Sequence, residues 1–449
     1  MKRILILDRD YVLKYLNSSV FEIICVALSR TRAANLRKEG INVIGCFEEE
    51  FDTLPEADIT SDYLIHSFDS DRFLTGRSLE ERQKILRKEV SFWRRILNDY
   101  KPSLIVNEVV TIEFMEVMAI EAQARGIPYK TWGILPFPHQ DIWVDGCFNT
   151  RMNEGYWDSI TPNQEDLEKA DVYIREMREK KLKPFYINIK SVSKISHLRY
   201  KFNSFIRAYI KHAKKQKSNL FYYEDYKEIT LLELKYAYAL CVKDYDPFQI
   251  NVENEYFFFP LHMEPEAAVS YSAYYYDDQA MIISRIAHFL KPNQRLIVKE
   301  HPQQKGVLLT SKYQALKKKY NNLLYVNGKI SSFDIFNRIK CLITLNGTAG
   351  FEALVCGTPV VVIGEVFYKD MPGVTPCNSF VELESYIRNS CYNFPTEEGT
   401  RLFVAKIFNK LTNTFPYLKD DKTYEQEDLD NIRLQIEDFI NEGAKKCQF

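Results

Sequence analysis

Several features are scarce or missing in this sequence, and each absence narrows the class of protein. No stretch approaches the roughly 18 consecutive apolar residues that a membrane-spanning helix needs. The nine cysteines form no Cys-x-x-Cys pair and no Cys/His cluster, which disfavours a zinc module or a disulfide framework. The net charge of −1 leaves no excess of either sign, which argues against a nucleic-acid-binding protein. We therefore expect a cytoplasmic chain with reduced, mostly buried thiols.

The length of 449 residues exceeds one ordinary hydrophobic core and favours about two domains. The first apolar run, residues 3 to 8, is too short for a signal peptide and is expected to be a strand. No internal repeat or low-complexity tract occurs. The pattern predicts four segments: an N-terminal Rossmann-like domain (1–162), a helical basic insertion (163–250), a C-terminal α/β domain (251–415) and a final helix packing back on the first domain (416–449).

The N-terminal domain is predicted from alternating apolar runs and helical patterns. Residues 21 to 30 are interpreted as a helix and residues 41 to 46 as a strand. Ser78 and Glu81 have the spacing of a capping box, which predicts a helix from 78 to 100. The predicted elements after it are a strand at 102–108, a helix at 112–125, a strand at 126–132 and a loop containing Pro136, Pro138 and His139.

Glu108 is the carboxylate in this domain that we would choose as a base or nucleophile, because it ends a predicted strand. The alternative is a structural role, in a salt bridge or at the start of helix 112–125. Two Asp-x-Asp sequences, at residues 8–10 and 69–71, match the motif of metal-dependent sugar transferases. Three-residue matches arise easily by chance and neither lies in the C-terminal domain, so we assign no metal.

The C-terminal domain shows a strict alternation of strands and helices, which predicts a parallel, doubly wound sheet. The predicted strands are residues 256–260, 295–299, 323–326, 341–345 and 359–363. The predicted helices are residues 277–290, 309–320, 332–338 and 349–356, and a last, acidic amphipathic helix is predicted at 425–442.

The turn after strand 341–345 has the composition of an anion site. Small residues allow backbone amides to approach a ligand, and the helix that follows carries partial positive charge at its N-terminus. A phosphate suits such a place. The candidate ligand-binding residues of this turn are Asn346, Gly347, Thr348, Ala349 and Gly350.

Polar residues also follow two other strands of this domain, and the carboxyl ends of parallel strands line one crevice. Glu352 is expected in the first turn of the helix that follows, either to receive ribose hydroxyls or only to complement the helix dipole. His301 is suited to donate a hydrogen bond to a phosphate or sugar oxygen, with Pro302 fixing the turn. Further ligand-binding candidates are Lys299 and Glu300 before that pair, and His262, Glu264, Glu266 and Ser270 in the loop after the first strand.

The segment from residue 186 to residue 221 contains nine Lys or Arg and no acidic residue, with Tyr200, Phe202, Phe205 and Tyr209 among them. One interpretation is an amphipathic segment that lies on anionic lipid or on a polyanionic glycan. The other is a helical insertion whose aromatic residues pack inward and whose lysines are simply solvated.

Three motifs together resemble the capsule polysaccharide biosynthesis proteins, a family that includes bacterial retaining β-Kdo transferases. They are Phe-Pro-Leu-His-Met-Glu-Pro-Glu-Ala (259–267), Val-Lys-Glu-His-Pro (298–302) and Asn-Gly-Thr-Ala-Gly-Phe-Glu-Ala-Leu with Gly-Thr-Pro-Val-Val (346–361). The resemblance covers mainly residues 255–375, with weaker echoes at 67–71 and 107–108. The turn has Asn346-Gly-Thr where serine is common in relatives, and segment 163–250 matches nothing in the family.

The resemblance implies a GT-B-like glycosyltransferase with two Rossmann-type domains facing a cleft. It implies a CMP-activated sugar as donor, no metal, and a glycan or glycolipid acceptor, with the C-terminal domain binding the donor and the N-terminal domain the acceptor. His301 and Thr348 would contact the nucleotide phosphate from two sides, and Glu108 would be the nucleophile of a retaining reaction. Possible contact with the cytoplasmic face of the inner membrane would involve residues 186–221.

Three alternatives remain open at this point. A polyol-phosphate transferase of the teichoic-acid polymerase type would use a CDP-activated polyol. A non-catalytic glycan-assembly subunit would keep the fold without turnover. A UDP-sugar epimerase would share the fold but prefer UDP. The identity of the bound nucleotide discriminates among them.

Overall fold

The structure is a computed structural model that describes residues 1–7, 12–16, 18–59, 70–74, 76–137, 140–148, 155–180, 193–216, 226–273, 276–412 and 426–441. Several sequence-based predictions lie outside these residues: Asp8, Asp10 and Asp69 of the two Asp-x-Asp motifs, Pro138 and His139, and both ends of the basic segment.

The chain divides into two compact units. The first takes its described residues from 1–148 and 411–441, and the second from 155–216 and 226–410. The indole N–H of Trp157 donates to the carbonyl oxygen of Phe367 at 2.7 Å, and its ring packs on Phe403. Residues 155–160 therefore belong to the second unit, so the predicted boundary at residue 162 falls inside that unit.

The first unit is a six-stranded sheet in the order β3-β2-β1-β4-β5-β6, with β6 antiparallel to β5. Its strands are β1 (Lys2–Leu7), β2 (Phe21–Ala27), β3 (Val43–Cys46), β4 (Leu104–Val106), β5 (Tyr129–Ile134) and β6 (Asp141–Asp145). Its helices are α1 (Arg30–Lys38), α2 (Phe47–Glu50), α3 (Leu79–Tyr100), α4 (Glu113–Gln123) and, from the far end of the chain, α15 (Gln426–Asn441).

Helix α3 begins as the sequence predicts, because Ser78 and Glu81 form the complete capping box. It packs against α4 through aromatic rings, and the indole N–H of Trp93 donates to the carbonyl oxygen of Phe114 at 2.8 Å. Helix α15 contributes Ile432, Ile436 and Ile440 to the same core as strands β1, β2 and β4. The spacing of four residues places these three side chains on one helix face.

The predicted helix at residues 21–30 is wrong, because residues 21–27 form strand β2 between β1 and β3. From Ile23 to Ala27 this strand is apolar without a break, as in strands covered on both faces, so it lacks the alternation that would identify it. A short continuous apolar run of this kind cannot be separated from a buried helix by periodicity.

The second unit is a fully parallel six-stranded sheet in the order β12-β11-β10-β7-β8-β9. Its strands are β7 (Glu255–Pro260), β8 (Gln294–Lys299), β9 (Leu323–Val326), β10 (Cys341–Thr344), β11 (Val360–Val362) and β12 (Val374–Pro376). The helices between and after these strands are α8 (Ala267–Ser272), α9 (Gln279–Phe289), α10 (Ser311–Lys319), α11 (Phe333–Phe336), α12 (Thr348–Val355), α13 (Phe380–Asn389) and α14 (Glu397–Lys410).

The described part of the predicted insertion is mainly helical, and it is part of the second unit. Helix α5 (Gln164–Arg178) meets α12 and α14 through rings, since Tyr173 packs on Phe351 and Phe408. Helices α6 (Lys194–Gln216) and α7 (Lys227–Val242) lie side by side, and Leu240 of α7 packs on the buried Leu309. No described helix combines the length and apolar character required to cross a membrane.

Most cysteines are buried and none that is described is disulfide-bonded: Cys25, Cys46, Cys147, Cys341 and Cys377 are buried, and only Cys391 is exposed. Burial raises the pKa of the Cys356 and Cys377 thiols to about 11. These thiols remain protonated at neutral pH and pack as small apolar groups.

Candidate functional site

The second sheet reverses its strand order between β7 and β10, and crevices at such switch points bind ligands in open α/β sheets. The loops after β8, β7 and β10 leave three adjacent strands at their carboxyl ends. Two of these loops carry His301 and His262, and the third carries the turn from Asn346 to Gly350. The topology therefore places the predicted histidines and the predicted anion turn at one edge.

Gly347 and His262 are in close contact. A Cβ atom built at Gly347 would lie 3.0 Å from Cε1 of His262 and 3.3 Å from Oγ1 of Thr344. The backbone of Gly347 is ordinary extended chain with φ −78°, so glycine is required here for space and not for conformation. The imidazole of His262 occupies the space that the missing side chain of Gly347 leaves at this turn. This contact was not predicted from the sequence.

His262 is positioned by the backbone and by Gln279. The Gln279 side chain accepts from the His262 amide at 2.8 Å and donates to the His262 carbonyl oxygen at 3.2 Å. Nε2 of His262 is buried and has no hydrogen-bond partner in the structure. Burial, with the nearby His301, lowers the pKa of His262 to about 4. The imidazole is neutral at neutral pH and presents an unused ring nitrogen.

His301 is neutral as well, because burial and the charge of Lys299 lower its pKa to about 4. Nδ1 of His301 accepts from the backbone amide of Gln303 at 3.3 Å. A neutral imidazole with an accepting Nδ1 carries its proton on Nε2 and can donate from there. An arriving phosphate would stabilise the protonated form, so this group can also supply positive charge when an anion binds.

Lys299 and Glu352 are both buried, and the charge of each acts on the other. Lys299 donates to the Ser332 hydroxyl at 3.1 Å. Burial raises the pKa of Glu352 to about 7, and the charge of Lys299 opposes this rise. Burial lowers the pKa of Lys299 to about 8, and the charge of Glu352 opposes this fall. Glu352 lies in the second turn of α12, so its predicted placement in the first turn, complementing the helix dipole, is wrong.

Tyr368 is a residue of this site that sequence reasoning missed. Its hydroxyl donates to the carbonyl oxygen of Gly347 at 2.6 Å. A Cβ atom at Gly350 would lie 2.1 Å from the Tyr368 hydroxyl oxygen. The ring is fully buried between Phe351 and Phe367. Both glycines of the turn are thus fixed by neighbouring side chains, Gly347 by His262 and Gly350 by Tyr368. In the sequence, Phe367 and Tyr368 are only an aromatic pair that follows strand β11, and nothing in that pattern indicates a contact with the glycine turn.

Other predicted residues of this unit lie in or beside the loops that follow strands β7 and β8. Oε1 of Glu264 accepts from Gln279 at 2.8 Å, and its amide donates to Gln304 at 3.1 Å. Glu300 accepts from the Gly306 amide at 2.9 Å and from the hydroxyl of Tyr245, and burial raises its pKa to about 7. Glu266 precedes α8 as its N-cap residue, Ser270 lies within α8, and Pro302 follows His301 directly.

In the first unit, Glu108 is buried two residues beyond the end of β4. The Tyr129 hydroxyl donates to the carbonyl oxygen of Glu108 at 2.9 Å. The amide of Glu113, the first residue of α4, donates to Asp71 at 2.8 Å, and burial raises the pKa of Asp71 to about 6. Asp71, from one of the two Asp-x-Asp sequences, therefore caps α4.

Fold and site together define a class: two Rossmann-type sheets in separate units, with the second sheet presenting neutral histidines and a glycine turn at its switch point. This confirms the predicted α/β class, and the components are those of a GT-B-like fold. Within the described residues, no group of three or more His, Cys, Asp or Glu side chains is arranged to hold a metal ion.

Residues 206–390 match the family model described as capsule polysaccharide biosynthesis protein. The resemblance predicted from the three motifs is thereby confirmed over this segment, which contains all of them. The match begins at residue 206, so the expectation that segment 163–250 matches nothing in the family is wrong for residues 206–250. Protein FixF of Sinorhizobium fredii (strain NBRC 101917 / NGR234) is 25% identical over 118 residues, which cover 26% of this chain and 28% of that protein. The match thus spans little more than a quarter of that relative.

Solved structures with detectable similarity include two from Thermosulfurimonas dismutans. The KpsC β-Kdo 2,7 transferase is 11% identical with a TM-score of 0.44, covering 92% of this chain and 99% of its own. The KpsC β-Kdo 2,4 transferase is 13% identical with a TM-score of 0.38, covering 68% and 79%. A UDP-N-acetylglucosamine 2-epimerase from Listeria monocytogenes is 9% identical with a TM-score of 0.31, covering 100% of both chains.

Proposed function

We propose that this protein is a glycosyltransferase of surface polysaccharide biosynthesis, of the capsule or lipopolysaccharide type. It transfers a sugar, Kdo or a related ulosonic acid, from a CMP-activated donor to a glycan or glycolipid acceptor. The observation that carries the proposal is the convergence of His262, His301 and the Gly347 turn at the switch point of the second sheet. The family match over residues 206–390 supports the surface-polysaccharide role.

A CMP-sugar leaves a nucleoside monophosphate, so the site has one phosphate to stabilise. The start of α12, the N–H of His301 and the free ring nitrogen of His262 together can share its charge as the glycosidic bond breaks. Both imidazoles are neutral before the donor binds and can accept a proton as negative charge accumulates. This division of charge is the reason for proposing transfer without a metal.

The acceptor half of the proposal assigns Glu108 as the carboxylate nucleophile of a retaining reaction. The position of Glu108 supports this assignment, since the residue is buried shortly after strand β4 of the first Rossmann-type sheet. A glycolipid acceptor would be presented at the cytoplasmic face of the inner membrane, so a peripheral position there is part of the proposal.

Substitution of His301 tests the donor site. His301→Ala should lower turnover with CMP-Kdo about 100-fold or more, because a positioned proton donor and charge partner is lost. His288→Ala is the matched control, since His288 is an exposed histidine of α9 in the same unit. Near-normal turnover of His301→Ala would remove this histidine from the site.

Substitution of Glu108 tests the nucleophile separately. Glu108→Gln should abolish transfer and leave CMP binding, measured by calorimetry, unchanged. Glu116→Gln, which alters another buried carboxylate of the same unit, is the control and should keep most activity. Transfer by Glu108→Gln at the wild-type rate would make Glu108 structural.

The specific rival is a CDP-polyol phosphotransferase of the teichoic-acid polymerase type, which would use the same kind of histidine and glycine turn. Incubation with CDP-glycerol and with CMP-Kdo, each with the matched acceptor, discriminates the two. Product from CDP-glycerol alone would replace the proposal.

A further inference from the structure

Helix α6 presents an apolar stripe to the surface along almost its whole length. Ile195, Phe202, Ile206, Tyr209 and Ile210 are exposed by 78%, 50%, 39%, 55% and 48% of their surface. Their spacings of seven, four, three and one residues place them on one face of the helix. A stripe of this kind covers four turns, far more than the single exposed apolar residues common on soluble proteins.

The stripe is distinct from the face of α6 that packs on α7. The packed face contains the half-buried His197, Leu198 and Phe205, and Lys201 pairs with Glu233 of α7 at 2.9 Å. Between the two helices lies a groove of about 600 Å³ that continues the exposed stripe. Its wall on α6 is formed by Ile195, Leu198, Arg199 and Phe202, and its other wall by α7.

The charge on α6 is of one sign. The helix contains seven Lys or Arg and no acidic residue. By the helical spacing, Arg199 falls within the apolar stripe and Arg207 and Lys214 lie on one flank. On the other flank, Lys194 pairs with Asp244 at 2.7 Å and Lys201 with Glu233. The exposed apolar groups therefore lie beside Arg199, Arg207 and Lys214, whose long stems can extend away from an apolar surface.

We propose that α6 and the adjoining groove dock on an anionic lipid bilayer. Apolar side chains enter the headgroup boundary and the flanking cations contact lipid phosphates, as in interfacial amphipathic helices. A second copy of this chain fits poorly, because two such helices would bring like charges together. A soluble polyanionic glycan would pair with the cations but gains nothing from Ile195, Ile206 and Ile210. The inference stands on α6 and α7 and does not depend on the identity of the sugar donor.

The test measures binding of the purified full chain to vesicles by sedimentation. One set contains phosphatidylcholine alone and the other equal parts of phosphatidylcholine and phosphatidylglycerol. Binding should occur to the anionic vesicles and fall steeply between low and high salt. Each cation near the surface contributes about fivefold to partitioning. Equal binding to neutral vesicles, or no binding to either set at low salt, would overturn the proposal.

Two pairs of variants separate the contributions. Arg207→Gln with Lys214→Gln should weaken partitioning at least about tenfold, whereas Lys318→Gln with Lys319→Gln, an equal charge change on α10, should not. Phe202→Ser with Ile206→Ser should weaken it similarly, whereas Val381→Ser with Phe394→Ser, also exposed apolar sites, should not. Unchanged thermal midpoints show that each variant folds.

The competing occupants give different results in the same experiment. Concentration-dependent dimerisation in light scattering that is lost in Phe202→Ser with Ile206→Ser would assign the stripe to a second copy. Binding to heparin that survives this change, without binding to vesicles, would assign the cations to a polyanionic glycan. Either result would overturn the lipid proposal.

Discussion

Glu352→Gln offers a quantitative test of the buried carboxyl in the helix that follows the glycine turn. Burial raises the pKa of Glu352 from 4.5 to about 7 in the folded protein. Between these two pH values the folded state holds a proton that the unfolded state has lost. The free energy of unfolding therefore falls as pH rises from about 4.5 to 7. At about 1.36 kcal/mol for each pH unit, the titration of this carboxyl lowers the free energy of unfolding by about 3 kcal/mol.

Glutamine has no proton to lose, so the Glu352→Gln chain should lack this part of the pH dependence. Near pH 5 the wild-type carboxyl is protonated in the fold, and the two chains should have similar stability. As pH rises to 7.5, the variant should become more stable than wild type by about 3 kcal/mol. Other buried acids, such as Glu300 and Asp71, also titrate in this range, but they are common to both chains and cancel in the difference.

The assay is urea unfolding followed by tryptophan fluorescence at several pH values, analysed as the difference between the two chains. Because the chain has two compact units, the transition of the second unit must be resolved before a free energy is assigned. An identical pH dependence for both chains would refute the assignment of a buried, proton-binding carboxyl at position 352.

Two further substitutions test the packing around the same edge. Tyr368→Phe removes the hydroxyl that donates to Gly347 and should cost about 1 kcal/mol of stability, because the part-buried Gly347 carbonyl loses this hydrogen bond and keeps the Gly350 amide at 3.2 Å. Unaltered urea midpoints would contradict that contact. Gly306→Ala should cost several kcal/mol more than Gly40→Ala. Both glycines have positive φ, of 98° and 78°, but a Cβ atom at Gly306 would lie 2.2 Å from the Tyr236 carbonyl oxygen, whereas Gly40 is open. Equal losses in thermal unfolding would contradict the structure at Gly306.

The second sheet could be predicted from the sequence almost strand by strand. Its apolar runs are short, and charged helices with clear periodicity separate them, so strand and helix signals do not overlap. Strand β12 and the antiparallel strand β6 were not predicted, because each is a short strand at a sheet edge. Strand β2 was mistaken for a helix because its run from Ile23 to Ala27 is apolar without a break and carries no period.

The site was predictable as a set of strand ends but not as a set of contacts. His262, His301 and the glycine turn could be placed at one edge, since parallel strands deliver their carboxyl ends together. The contact of His262 with Gly347, and of Tyr368 with Gly347 and Gly350, joins segments far apart in sequence. The electrostatic interaction of Glu352 with Lys299 likewise depends on how α12 lies against the sheet, which no local pattern specifies.

The most direct test of the proposed donor site is thermal unfolding with CMP, CDP, UDP or GDP at matched concentration. A ligand at 100 times its dissociation constant adds about 2.7 kcal/mol to the free energy of unfolding. The account predicts a rise in melting temperature with CMP that exceeds the rise with the other three and is reduced in His301→Ala. A preference for CDP or UDP, or no shift with any nucleotide, would contradict a CMP-sugar transferase.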